Sequence, residues 1–331
     1  MATLYVQEQG TKVRKKDNQL IVTKGDQTMQ EVPLAKLDQV VLMGRGVQIS
    51  TALLVDLLIK GIPVFITNQQ GSKVYAALAQ GVSRFGALRS QQMQLVHAAD
   101  RALELARAMI QAKLINQRAL LADTGWGSAA AASQQIAQAF ASLAAAVTID
   151  MVRGYEGAAA AAYFGAWQLA LPKIWGFDGR AFYPPPDPIN ALLSFGYTLA
   201  LNDVLAAVQF TGLDPYLGTF HVIEAGRPSL ALDLLEEFRP LIVDRLVLDL
   251  VRANTLPRER FSPAPDRPGG IYLDQAGRAL LVDRYEAALQ QKVRLPTGEQ
   301  TALRQVLLIQ ARAVARTMRG EQPAYVGFTP A

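Results

Sequence analysis

The sequence predicts an α+β chain, with a small β-rich N-terminal domain over residues 1–80 and a larger all-α catalytic domain over residues 81–331. Three observations carry this expectation. Short Val/Ile/Leu runs broken by turn residues fill the first 80 positions. Apolar spacings of three to five dominate from about residue 86 onward. A chain of 331 residues, 50% of them hydrophobic, is also long enough for two cores.

In chain order, Leu4-Tyr5-Val6, Gln19-Leu20-Ile21-Val22, Gln39-Val40-Val41-Leu42, Val64-Phe65-Ile66 and Val74-Tyr75 read as strands, punctuated by Asp17-Asn18, Gly25-Asp26 and Gly71. One helix interrupts them. Ser50 suits its N-cap, Leu53, Leu54, Leu57 and Leu58 form its apolar stripe, and Gly61 suits C′. Residues 86–122 carry Leu88, Met93, Val96, Leu103, Ala106, Ile110 and Leu114 at helical spacing, and Ala-rich helices follow through 128–170. Trp175–Pro188, with three consecutive prolines at 184–186, reads as a rigid loop. Residues 189–210 and 229–252 resume the helical pattern, and Pro257–Gly270 is a second loop. A last helix is expected over about 299–319. Leu303, Val306, Leu307, Ala311, Val314 and Met318 share one of its faces, and Arg304, Arg312, Arg316 and Arg319 cluster on another.

Composition excludes several function classes. With no cysteine there is no disulfide scaffold, thiolate zinc site or Cys nucleophile, and the chain suits a reducing, cytoplasmic setting. The start, MATLYVQEQG, lacks the basic and apolar regions of a secretory signal. The uncharged run Thr124–Ile149 exceeds bilayer-spanning length but is mostly Ala with Gln134, Gln135 and Gln138, so a packed helix and no membrane association are expected. Residues 1–250 hold 21 basic and 21 acidic residues, and residues 251–331 hold 12 against 7, so the C-terminal region carries the whole formal excess of +5. That suits either a polyanion partner or an ordinary basic surface.

Chemistry concentrates in two places. Of the two histidines, His97 lies within a helical run and reads as structural, whereas His221 follows a loop-like stretch and precedes a helix that Ser229 can cap. That helix holds Asp233, Glu236 and Glu237, at i, i+3 and i+4, on one face. Either the acids form a solvated face or, because the helix is otherwise apolar, they need a cation or Arg227 and Arg239 to neutralise them. Imidazole plus carboxylates suits Mg²⁺ or Mn²⁺. The second place is Glu156, the only acid between Asp150 and Asp178, in an Ala/Gly-rich helix. Buried there it needs a partner, whether a salt bridge to an Arg or a metal ion shared with His221 and the 233–237 cluster.

Gly154-Tyr155-Glu156-Gly157-Ala158-Ala159 with Tyr163-Phe164 resembles a signature of the CRISPR-associated spacer integrase, the first adaptation protein. So do Pro185–Tyr197 and His221 followed by Gly226–Pro240, with Gly46–Thr51 and Asn116-Gln117 also similar. The resemblance implies that Glu156, His221 and Glu236 bind one divalent ion, Mg²⁺ or Mn²⁺, and are catalytic, with Asp233 a possible second acid. It implies a homodimer through the β domain and a ferredoxin-like dimeric partner, CRISPR-associated protein two. It also implies double-stranded DNA as substrate, both the incoming spacer and the repeat array, joined by 3′-hydroxyl attack on a phosphodiester. Arg227, Arg239, Arg312 and Arg316 are candidate DNA contacts, against neutralising roles for the first two and an exposed solubilising face for the others. Two other readings stand beside this one: a metal-dependent nuclease on branched or repair DNA, and a non-catalytic DNA-binding scaffold.

Overall fold

A computed structural model describes residues 2–69, 74–78, 85–181, 184–265 and 267–330. Gly71 and the expected 80/81 boundary lie outside the described residues, as do residues 182 and 183 of the proline-rich loop. The chain forms two compact units, residues 1–84 and 85–331.

In the first unit the described strands form two four-stranded sheets, ordered β1-β5-β7-β8 and β4-β3-β2-β6. β1 (Ala2–Val6), β5 (Leu37–Met43) and β7 (Val64–Thr67) run parallel, with Leu4 opposite Val40 and Val40 opposite Val64. β8 (Val74–Leu78) closes this sheet antiparallel to β7. Strand β5 is buried along nearly its whole length, which accounts for the apolar run 40–43. In the second sheet β3 (Gln19–Lys24) lies antiparallel between β2 (Thr11–Lys16) and β4 (Gln27–Pro33), and β6 (Gln48–Ile49) runs parallel to β2. β2 and β4 were not expected from the sequence. Only Thr11 and Val13 of β2 turn inward, and the rest of both strands is mostly charged or polar and exposed. Helix α1 (Thr51–Ile59) starts where expected, with the Ser50 hydroxyl accepting from the Leu53 N–H at 3.4 Å, and ends before Gly61 at φ +73°. Its Leu53 and Leu57 join Leu4, Val13, Leu20, Val22 and Val40 in one core.

The second unit is helical, with two short hairpins. α2 (Gly86–His97) and α3 (Ala99–Thr124) divide the expected 86–122 helix at Ala98, whose ψ of 100° is extended. α4 (Ala129–Leu143) buries Ala129, Ala132, Ile136, Ala139 and Leu143 and packs on α5 (Ile149–Ala170). At 15 residues α4 is shorter than a bilayer span. α6 (Pro188–Phe210) is long and apolar enough to cross a membrane, but its most apolar stretch is 83% buried within the unit, packed against α7 (Ser229–Arg239) and α10 (Leu303–Met318). Asp187 caps α6, accepting from the Asn190 N–H at 2.9 Å. After α7 a π-turn at Pro240–Asp244 carries the chain into α8 (Arg245–Arg252), because Pro240 lacks the donor a regular turn needs.

The Pro257–Gly270 loop contains β9 (Phe261–Pro263), which pairs with β10 (Ile271–Leu273). Beyond it come α9 (Gln275–Gln290) and the hairpin β11 (Lys292–Arg294)/β12 (Gln300–Ala302), so the last helix begins at Leu303 rather than 299. Its apolar face is buried as expected. The four-arginine face needs correction: Arg304 is buried against Glu286 at 2.7 Å and Asp203 at 3.5 Å, because α9 and α6 cover that end of the helix. Arg312, Arg316 and Arg319 stay exposed.

Candidate active site

A cleft of about 670 Å³ opens within the helical unit. Lys113 and Gln117 reach it from α3, Glu156 and Phe164 from α5, Tyr197 from α6, His221 and Arg227 from the loop before α7, Glu236 and Arg239 from α7, and Asp244 from the π-turn. Small residues make room on one wall, where Gly157, Ala160 and Ala161 bring the α5 backbone to the cleft surface.

The structure gathers Glu156, Glu236 and His221 from three separate elements. The Lys113 ammonium bridges the two carboxylates, 2.5 Å from Glu156 Oε1 and 2.6 Å from Glu236 Oε2. His221 Nε2 lies 3.8 Å from Glu236 Oε1, and the Arg239 guanidinium reaches the same oxygen at 3.1 Å. Burial opposes the charge on Glu236, but Arg239, Lys113 and His221 outweigh it and bring its pKa down to about 2. Burial likewise opposes the Lys113 charge, and Glu156 and Glu236 reverse the effect and raise its pKa. Of the two alternatives for Glu156, the ion pair is made by a lysine and not by an arginine.

Asp233 stands behind His221 rather than beside Glu236. Fully buried, its Oδ2 accepts from the Thr219 and Phe220 N–H groups at 2.6 and 2.9 Å, and its Oδ1 accepts from the His221 N–H at 2.8 Å and meets His221 Nδ1 at 2.7 Å. A carboxylate oxygen only accepts, so Nδ1 carries a ring proton and Nε2 is the nitrogen turned to the cleft. Asp233, the possible second acid, has both oxygens engaged with the loop backbone and the His221 ring and faces the cleft through that ring. Gly218 permits this clasp, because a Cβ there would stand 2.6 Å from Asp233 Oδ2 and from the Ser229 carbonyl carbon. Arg153 secures the loop from α5, with Nε donating to the Phe220 carbonyl at 3.0 Å. Ser229 is not the cap of α7: Pro228 holds that position, and the Ser229 hydroxyl donates to the Val222 carbonyl at 2.9 Å. Asp233→Asn is expected to lower activity about 10–100-fold, because an amide –NH₂ cannot serve both clusters of donors and the ring loses its fixed tautomer. Steady-state rates with ¹⁵N histidine spectra check both parts.

The three acids of α7, though on one side of the helix, meet different partners. Glu237 points to the C-terminal segment, where it accepts from the Tyr325 hydroxyl and the Phe328 N–H, and burial raises its pKa to about 8. Neither Arg227 nor Arg239 neutralises Asp233 or Glu237. Arg227 lines the cleft, 3.5 Å from Glu224, and Arg239 pairs with Glu236 while lying 4.4 Å over the Tyr197 ring.

Lys113, Arg180, Tyr197 and Asp244 are cleft residues that the sequence did not single out for chemistry. Tyr197 and Tyr163 donate to Asp244 at 2.5 and 3.1 Å, and burial raises the Asp244 pKa to about 6. Arg180 lies 5.5 Å from the Tyr197 centroid and donates to Asn190 Oδ1 at 2.8 Å. Arg312 and Arg316 do not line the cleft.

Among the described residues no three His, Asp or Glu side chains stand close enough, as placed, to hold a metal ion. The donor types nevertheless fit a hard divalent cation: two carboxylates, an imidazole with Nε2 turned inward, and a positive charge already seated between the carboxylates.

The profile of the family described as CRISPR associated protein Cas1 matches residues 4–287. CRISPR-associated endonuclease Cas1 1 of Thermus thermophilus is 35% identical over 319 residues, covering 96% of each chain. Among solved structures, a casposase bound to integration product superposes with a TM-score of 0.86 at 22% identity, covering 99% of this chain and 95% of that one. A chain of a Cas6-RT-Cas1–Cas2 complex superposes with a TM-score of 0.84 at 24% identity, covering 99% of this chain and 36% of that one. The two-unit α+β fold and these relatives define an endonuclease. The chain belongs to the Cas1 family of CRISPR-associated endonucleases.

Proposed function

We propose that the chain is a Mg²⁺- or Mn²⁺-dependent integrase that inserts short DNA duplexes into a CRISPR repeat array. In the joining step a 3′-hydroxyl of the incoming duplex loses its proton and forms a new O–P bond to a phosphodiester at the repeat border. The bond from that phosphorus to the target's 3′-oxygen breaks, and the leaving oxygen takes up a proton. Bond types are conserved, so positioning and electrostatics dominate the barrier. Glu156, Glu236 and His221 Nε2 would hold a divalent ion, which when bound supplies charge stabilisation at the phosphoryl oxygens. Asp233 keeps the imidazole in the tautomer that such ligation needs. Arg239 and Arg227 face the same cleft and are suited to orient a phosphate through guanidinium N–H groups.

The observation that carries this reading is the meeting of Glu156, Glu236 and the Asp233-oriented imidazole in one cleft, from three elements far apart in sequence. The similar fold of a casposase bound to integration product and of a Cas1 chain in a complex with Cas2 supports DNA joining and Cas2 as partner, which this reading takes as a ferredoxin-like dimer. A homodimer through the β-rich unit is part of the same reading, and the exposed Val55 and Ile59 on the outer face of α1 give it an apolar surface. Exposed Arg312 and Arg316 remain candidates for backbone contacts away from the cleft.

The test supplies a plasmid bearing a repeat array, a short duplex with free 3′ ends, the purified chain with and without Cas2, and Mg²⁺ or Mn²⁺. Joined duplex–plasmid product supports the integrase. Nicked plasmid with no joined product assigns the same site to hydrolysis, with water in place of the 3′-hydroxyl.

A further inference from the structure

Lys113 sits at the centre of the site, although nothing in its sequence surroundings distinguishes it from a solvated helix lysine. It is 7% exposed, and its ammonium contacts Glu156 Oε1 and Glu236 Oε2 at 2.5 and 2.6 Å. Glu236 divides its two oxygens, with Oε2 facing Lys113 and Oε1 facing Arg239 at 3.1 Å. Two carboxylates and two cations thus form a charge-balanced cluster. A divalent ion held by Glu156 and Glu236 would stand against the Lys113 ammonium, and the two cations would repel at close range. Arg239 can remain on its own oxygen. Lys113 has to move, and its flexible four-carbon stem allows the head to swing while the stem stays packed on α3.

We infer that Lys113 is a resident counter-cation that holds Glu156 and Glu236 together in the metal-free chain and competes with a divalent ion for the place between them. This rests on the reading of those carboxylates as the ion's ligands. The consequence is that metal affinity is held down by the work of displacing Lys113, while the empty site is kept from the mutual repulsion of two close carboxylates. The freed ammonium, still at the cleft wall, becomes a donor for an incoming phosphate.

The test is calorimetric titration of MnCl₂ into the EDTA-stripped, dialysed full-length protein, comparing the parent with Lys113→Met, Lys113→Gln and Lys113→Arg, with thermal melts in EDTA and in Mn²⁺. Lys113→Met and Lys113→Gln are expected to bind Mn²⁺ at least about tenfold more tightly, to melt lower than the parent in EDTA, and to gain more from Mn²⁺. Lys113→Arg, which keeps the charge, is expected to stay near the parent. The Gln variant carries the test if the Met variant does not fold. Equal or weaker Mn²⁺ binding by the neutral variants, with a clear parental isotherm, overturns the inference while leaving the metal reading standing. No Mn²⁺ binding by the parent or any variant overturns the metal reading itself, and the inference with it.

Discussion

Glu156→Ala and His221→Ala are each expected to lower the rate of strand joining by at least about 10³-fold, some 4 kcal/mol of transition-state stabilisation. The fold should survive both changes. Glu156 lies in an Ala-rich helix, where alanine is the best helix former, and its side chain is 20% exposed, so little packing is lost. Removing Glu156 still leaves Lys113 paired with Glu236. Removing the His221 ring leaves the Asp233 carboxylate with its three backbone N–H donors, so the 219–221 loop keeps its shape. The loss would therefore be chemical rather than structural. The checks are single-turnover joining rates in Mg²⁺ and in Mn²⁺, circular dichroism and melting curves. A non-catalytic DNA scaffold would lose nothing from either change and would not need the divalent ion. Joining at the parental rate by either variant ends the assignment.

The candidate site was legible to the extent that residue type and rarity are informative. A histidine after a loop, a lone glutamate in an apolar helix and an acidic cluster on an otherwise apolar helix each need an explanation from their own neighbourhoods. Lys113 needed none. It lies among other charged residues in α3, and the carboxylates that define it are 43 and 123 positions away in sequence. Spacing put Asp233, Glu236 and Glu237 on one side of α7, but spacing says nothing of what packs there. Asp233 meets the preceding loop, Glu236 the cleft and Glu237 the C-terminal segment, so three similar residues have three different tasks.

In the fold, β3, β5 and β7 were readable because their residues are largely buried and their sequences are continuous apolar runs. β2 and β4 flank β3 with charged and polar residues turned to solvent, so little periodic signal remains. The hairpins of the second unit are three residues per strand, too short for alternation to register. Arg304 shows the same limit in reverse. A helical wheel puts it with the exposed arginines, and only the arrival of Glu286 and Asp203 from other helices makes it an interior ion pair.

Glu237→Ala is expected to cost about 3 kcal/mol or more of stability, and Glu237→Gln far less. The Glu237 carboxyl is fully buried and joins the C-terminal segment to the site: Tyr325 and the Phe328 N–H donate to it, and Gln310 does so at 3.4 Å. Around it Phe328 stacks on Phe238 at 6.2 Å, and Asn116 donates to both the Glu237 and Phe328 carbonyls at 2.8 and 2.9 Å. Gly327 lies so close to α3 that a Cβ would stand 2.5 Å from the Ala112 Cβ. This segment therefore fastens α3 and α7, the helices that carry Lys113 and Glu236, and the alanine variant should lose joining activity as well as stability. Burial raises the Glu237 pKa from 4.5 to about 8, against the donors that lower it. The sign follows from that shift. The stability is fully present below about pH 4.5, falls as the unfolded chain ionises while the folded one does not, and is lost as pH rises through about 8, a span on the order of 4–5 kcal/mol. Glu237→Gln should remove this slope, so urea denaturation of parent and Gln variant from pH 5 to 8.5 should diverge steadily in favour of the variant. Parallel curves across that range would mean that Glu237 is ionised in the folded protein, held by Tyr325 and the Phe328 N–H strongly enough to overcome its burial.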